Sequence, residues 1–132
     1  MANYSVARRE EATDWMADYP GFGEMRWYSD AVGTEEVSFS WRSMPPETGG
    51  RGSYGHRHPG QEEIYFVIAG KVTFKLDDDV FEAGPQTAVR IGGDAFRSVH
   101  NDTGQDAELL IFSTRDADAT TERADDFWPD YY

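Results

Sequence analysis

The chain has 132 residues and carries 25 acidic side chains against 12 basic ones, a formal charge of -13. That length supports one hydrophobic core, and acids spread along the chain repel phosphate backbones and anionic bilayers, which excludes nucleic acid and membrane surfaces as expected partners. Cysteine is absent, so any metal must be held by histidine, carboxylate or water.

No apolar run approaches the roughly 20 residues needed to cross a bilayer, and the start, MANYSVARREEA, has no apolar secretory core, so a soluble cytoplasmic protein is expected. From the N-terminus, Glu10 to Met16 reads as a helical turn or two. Short segments rich in β-branched and aromatic residues then recur between Gly, Pro and Asp clusters. The predicted strands are Met25 to Ser29, Val37 to Arg42, Tyr54 to His58, Glu63 to Ile68, Lys71 to Leu76, Val80 to Glu82, Thr87 to Ile91, Phe96 to His100 and Glu108 to Ser113. This rhythm is that of an all-β sandwich or barrel. Thr48 to Ser53 reads as a Gly-rich loop, Asp77-Asp78-Asp79 as a solvated turn, and Ala69-Gly70 as a tight hairpin in which Gly70 takes a positive φ. Toward the end, Thr121 to Asp126 is predicted to form a helical turn. The final FWPDYY is too aromatic for a disordered tail and is expected to pack on the barrel or on a partner subunit.

Chemistry concentrates in GHRHPGQEEIYFVIAG, residues 55–70, which holds two of the three histidines. Alternate residues of a strand share a face, so His56 and His58 project together while Arg57 faces away. After a Pro59-Gly60 turn, Glu62 and Glu63 open the next strand and bring a carboxylate to the imidazoles if the two strands are neighbours. Two histidines and one carboxylate leave open positions on a divalent transition ion, a set suited to iron and compatible with manganese, nickel, copper or zinc.

These residues resemble the cupin family. Its first motif is a glycine, five residues, His-x-His, three or four residues, Glu, six residues and a glycine; here Gly50, His56-Arg57-His58, Glu63 and Gly70 stand at that spacing. The resemblance implies a double-stranded β-helix, or jelly-roll barrel, with short irregular or helical ends. It implies one cupin domain over residues 1–132, with a barrel core at about 37–114, an N-terminal arm before it and an aromatic tail after it. It nominates His56, His58 and Glu63 as metal ligands and selects Glu63 over Glu62.

The second cupin motif is only partly matched by IGGDAFRSVHN. Placing Asn101 on the motif's asparagine puts Arg97 where a fourth ligand, histidine, is usual. Three arrangements are open. Three protein ligands can hold the metal while Arg97 points into the cavity as a forked donor for an anionic group. A bulge can turn His100 inward as a fourth ligand. Or Arg97 pairs with Glu63 and no metal binds. By strand parity Tyr65 shares the face of Glu63, and Tyr54 that of the histidines, so both are candidate substrate contacts. The resemblance implies a metal-dependent enzyme of isomerase or oxygenase type acting on a small polar or anionic metabolite, or else a binding module that holds a small molecule without turnover. A homodimer is also expected, with the sheets and the aromatic tail as contacts.

Overall fold

The computed structural model of the protein describes residues 3–130. In chain order the strands are β1 (Thr13–Asp14), β2 (Glu24–Trp27), β3 (Val37–Met44), β4 (Thr48–Gly49), β5 (Gly55–Arg57), β6 (Glu63–Ala69), β7 (Val72–Leu76), β8 (Asp79–Ala83), β9 (Ala88–Ile91), β10 (Arg97–Asn101), β11 (Ala107–Thr114) and β12 (Glu122–Ala124). A short helix, α1 (Tyr28–Val32), and a 3-10 turn at Arg9–Glu11 complete the elements. One sheet runs β1-β2-β3-β11-β6-β9; the other runs β12-β5-β10-β7-β8, with β4 also on β10. All pairings are antiparallel. This is the jelly-roll barrel.

The register stacks side chains in inward layers. At one end Met44 faces Ala107, and Leu109 faces Val67 on one side and the buried Arg42 on the other; Met44, Ala107, Leu109 and Val67 form the hydrophobic core with Val72 and Phe74. At the other end the layers read Ser40, Ile111, Tyr65, Val89 and then Ser38, Ser113, Glu63, Ile91. Serines cannot fill the space that leucine or methionine fills lower down, so this end of the barrel stays open. The sequence VSFSWRSM of β3 thus turns its small polar residues inward and its aromatics outward.

Two glycines of the first motif have a steric reason to be glycine. A Cβ on Gly50 would sit 1.7 Å from Ser98 Oγ. Gly70 has φ 77°, and a Cβ there would meet Asp106 O at 2.5 Å. Asn101 is fully buried; its Nδ2 donates to Met44 O at 3.0 Å and Gln105 O at 2.7 Å, while its Oδ1 accepts from Thr103 N at 2.9 Å. It pins the turn between β10 and β11.

The ends differ from expectation. The strand predicted over Met25 to Ser29 stops at Trp27, because α1 begins there and closes on Gly33 in the left-handed region, φ 81°. The helical turn expected over Glu10 to Met16 gives way to the 3-10 turn and β1, since the Asp14 carboxylate accepts from both Met16 N and Met25 N and ties this segment to β2. Thr121 to Asp126 supplies β12, which completes the open edge of β5. The loop predicted from Thr48 begins as β4 for the same reason, pairing with β10. The tail packs on its own barrel: Trp128 is 1% exposed, its N donates to Ser53 O, and Phe127 covers Gly55. Tyr131 and Tyr132 of that tail lie outside the described residues. Among the described residues no helix is long and apolar enough to cross a membrane.

Candidate metal centre

His56, His58 and Glu63 come together. One ligand atom from each lies within 4.8 Å of the others. β5 supplies His56, with Arg97 of β10 and Arg123 of β12 as its cross-strand partners on either side. Burial first, then the neighbouring His58 and Arg97 charges, push the His56 pKa down to about 4. The imidazole is therefore neutral at pH 7 and keeps a lone pair for an ion. His58 Nδ1 lies 3.3 Å from Thr120 O and 3.1 Å from Thr121 Oγ1. A carbonyl only accepts, so we assign the proton to Nδ1, which leaves the Nε2 lone pair free.

Glu63 opens β6 and is buried. Among the described residues its Oε1 has no hydrogen-bond partner, although Arg97 Nη1 stands 3.9 Å away. Arg97 is 1% exposed; its Nη2 donates to Gly92 O at 2.9 Å, and its Nε and Nη1 are also without partners. An ion pair held this far apart leaves one oxygen of the carboxylate with bonding capacity. The two imidazoles and that carboxylate fit a divalent transition ion with positions to spare.

Tyr65 lies in the layer next to Glu63. Burial, and then the Glu63 charge, raise its phenol well above the ordinary value, so it keeps its proton. Together with Tyr54, which is 43% exposed at the mouth, it lines a cavity of about 900 Å³ that also contains the three ligand residues. Arg97 does not line this cavity. It is buried behind Glu63, and the arrangement in which it grips a ligand's anionic group from within the cavity is not the one observed.

His100 does not join the set either. The pairing of β10 with β7 runs Arg97↔Leu76, Ser98↔Lys75, Val99↔Phe74 and His100↔Thr73 with no interruption. Without a bulge, His100 keeps the parity opposite to Arg97. It packs edge-on to Trp128, and Glu47 and Asp102 lie close enough to form a second cluster with it. There Arg51 N–H donates to His100 Nδ1 at 3.3 Å, and Nε2 faces Asp102 at 3.5 Å. The cluster ties the loop after β4 to the barrel.

Several residues at the cavity carry no motif signal. Trp15 and Trp27 stack with ring centroids 4.8 Å apart and both face the cavity. Arg115 is held by Asp30 and by Thr34 Oγ1. Arg123 pairs with Asp125 at 2.8 Å and lies over the Tyr54 ring at 3.7 Å. The pairing of β12 with β5, a contact between segments more than 60 residues apart, brings Arg123 here; only the cross-strand partner of a known ligand could have flagged it.

A jelly-roll barrel whose open end carries two histidines and a carboxylate defines the class. The sequence matches the cupin domain over residues 43–113, more than half of its length, and the chain belongs to the cupin family. No curated protein matches it. Among solved structures it is similar to a sugar phosphate isomerase of the cupin superfamily from Silicibacter pomeroyi, at TM-score 0.74 and 19% identity over 90% of this chain and 81% of that one. A cupin protein from Bacteroides fragilis gives 0.70 and 19% over 89% of both chains. The polyketide cyclase RemF from Streptomyces resistomycificus gives 0.68 and 18% over 86% and 82%. At such identities the likeness is one of fold.

Proposed function

We propose that the protein is a metal-dependent cupin enzyme, of isomerase or oxygenase type, that acts on a small oxygen-bearing molecule in the open end of the barrel. The observation that carries this reading is the cluster itself: His56, His58 and Glu63 with ligand atoms within 4.8 Å at the cavity wall. They would hold one divalent ion, iron, manganese, nickel, copper or zinc. Bound there, the ion supplies Lewis-acid polarisation of a substrate oxygen and vacant positions for substrate or water. Thr120 and Thr121 fix the His58 ring by its Nδ1 proton. Arg97 stands beside Glu63, and the Tyr65 phenol, which keeps its proton, interacts with the Glu63 carboxylate and helps hold it in place.

The buried guanidinium beside Glu63 favours a second reading, a metal-free binding module, because a fixed positive charge opposes a second cation. Elemental analysis of protein purified without added metal separates the two. About one equivalent per chain, lost in His58→Ala without loss of fold, supports the enzyme. A metal-free protein that also fails to take up zinc or manganese supports the module.

The outward face of the larger sheet, with Phe39, Ile64 and Phe112 in one cross-strand row and Trp41, Phe66 and Leu110 in the next, supports pairing of two copies through it. The aromatic tail is not proposed as that contact, since Trp128 is already buried within the chain.

A further inference from the structure

The lining of the cavity restricts what can enter it. Its charged groups are four carboxylates, Asp30, Glu35, Glu63 and Asp116, against two guanidiniums, Arg115 and Arg123. Both guanidiniums are committed, Arg115 to Asp30 and Arg123 to Asp125 and the Tyr54 ring. Two further arginines whose charges act on Tyr65, Arg97 and Arg42, are buried and lie outside the lining. Asp30 is offset by Arg115 and Glu63 by Arg97, so Glu35 and Asp116 are left over, and, any ion held by His56, His58 and Glu63 aside, an anionic group would meet them with no free arginine or lysine among the described lining residues.

The uncharged lining points the other way. Trp15 stacks on Trp27 yet remains 49% exposed, so it presents uncovered ring surface to the cavity. Met25 and Ile111 add apolar surface to the lining. Ser38, Ser40 and Ser113 add hydroxyls that can both donate and accept. Trp27, Ser40 and Ile111 stand in one cross-strand row, so the aromatic platform and the neutral hydrogen-bonding groups lie side by side on one sheet.

We propose that the cavity takes a flat, uncharged, hydroxyl-bearing ring compound, stacked on the Trp15–Trp27 pair, and discriminates against phosphorylated metabolites. The proposal deepens the reading of this cavity as the ligand site and does not depend on the metal. The ring lies against the tryptophans, and its hydroxyls meet the serines.

Calorimetric titration of the full chain with naphthalenediol, naphthyl phosphate and glucose phosphate tests this. Naphthalenediol should bind at least about tenfold more tightly than naphthyl phosphate, which has the same ring with a charge added, and glucose phosphate should not bind measurably. Trp15→Leu, which keeps apolar bulk but removes the ring, should weaken naphthalenediol about tenfold. Glu35→Gln combined with Asp116→Asn should narrow the gap between the two naphthyl probes. Equal or tighter binding of naphthyl phosphate, no binding of naphthalenediol, or an unchanged affinity in a folded Trp15→Leu variant would overturn the proposal. The titrations are repeated in His58→Ala. Ring binding that survives there, in a protein without metal, upholds this proposal even where the metal reading fails.

Discussion

Arg97 stands where it can oppose the ion it is expected to neighbour, and removing its charge should show by how much. Nη1 is 3.9 Å from Glu63 Oε1. Adding a metal–carboxylate bond of ~2.1 Å places guanidinium and ion roughly 6 Å apart. For a divalent ion, Coulomb's law then gives a repulsion of ~5.5 kcal/mol at an effective dielectric of ~20 and ~1.4 kcal/mol at the bulk-water limit. Even the lower figure is about tenfold in affinity. Arg97→Met keeps much of the buried stem and removes the charge, so zinc or manganese affinity, measured by competition with a chromogenic chelator, should tighten at least about tenfold. The same change strands Glu63 without a counter-charge and should cost the metal-free protein about 3 kcal/mol in urea unfolding, recovered when metal is added. Arg97→His, on the same inward face as His56, adds a possible donor and should tighten binding further. Equal or weaker affinity in Arg97→Met, with unchanged metal-free stability, would show that the guanidinium does not act on the ion's position and would refute this reasoning.

Stability should fall in acid because of His56. Its pKa is about 4 in the fold against 6.5 as the ordinary value, so the unfolded chain takes up this proton first. The contribution is complete above pH 6.5 and is lost as pH falls toward the folded value, by up to ~3 kcal/mol. Urea midpoints for wild type and His56→Gln should converge in acid, and parallel pH profiles would contradict this. Gly50→Ala drives a methyl group into Ser98 Oγ and should cost about 2 kcal/mol, partly restored by Ser98→Ala. No rescue in the double variant would mean the strain lies elsewhere. Ile64→Asp, on the outward face of β6, should convert a dimer to a monomer in light scattering without unfolding the chain; a wild-type monomer at micromolar concentration would dismiss the pairing.

How much of this was legible depended on how local the cause was. Nine strands were placed in the sequence close to where they occur, because each is a short β-branched and aromatic run bounded by turn residues. His56, His58 and Glu63 were legible because strand parity and one short turn bring them together within eight residues. The short strands β1, β4 and β12 were not, since each exists only to complete an edge offered by a distant strand. The helix α1 was missed because it starts from a tryptophan without a side-chain cap.

The sequence by itself determined the periodicity of the strands, the spacing of the first motif and the absence of thiolate ligands. It could not say which face of a strand turns inward. In VSFSWRSM the apolar pattern favours burying Phe39 and Trp41, yet barrel closure and the pairing of β3 with β11 put Ser38 and Ser40 inside, and that choice opens the cavity. Parity likewise set Arg97 on the inward face, but only the packing around Glu63 decided that its guanidinium stops behind the carboxylate and leaves the cavity without a free cation. Alternation is a local property of the backbone; direction and reach are settled by what packs on the other side.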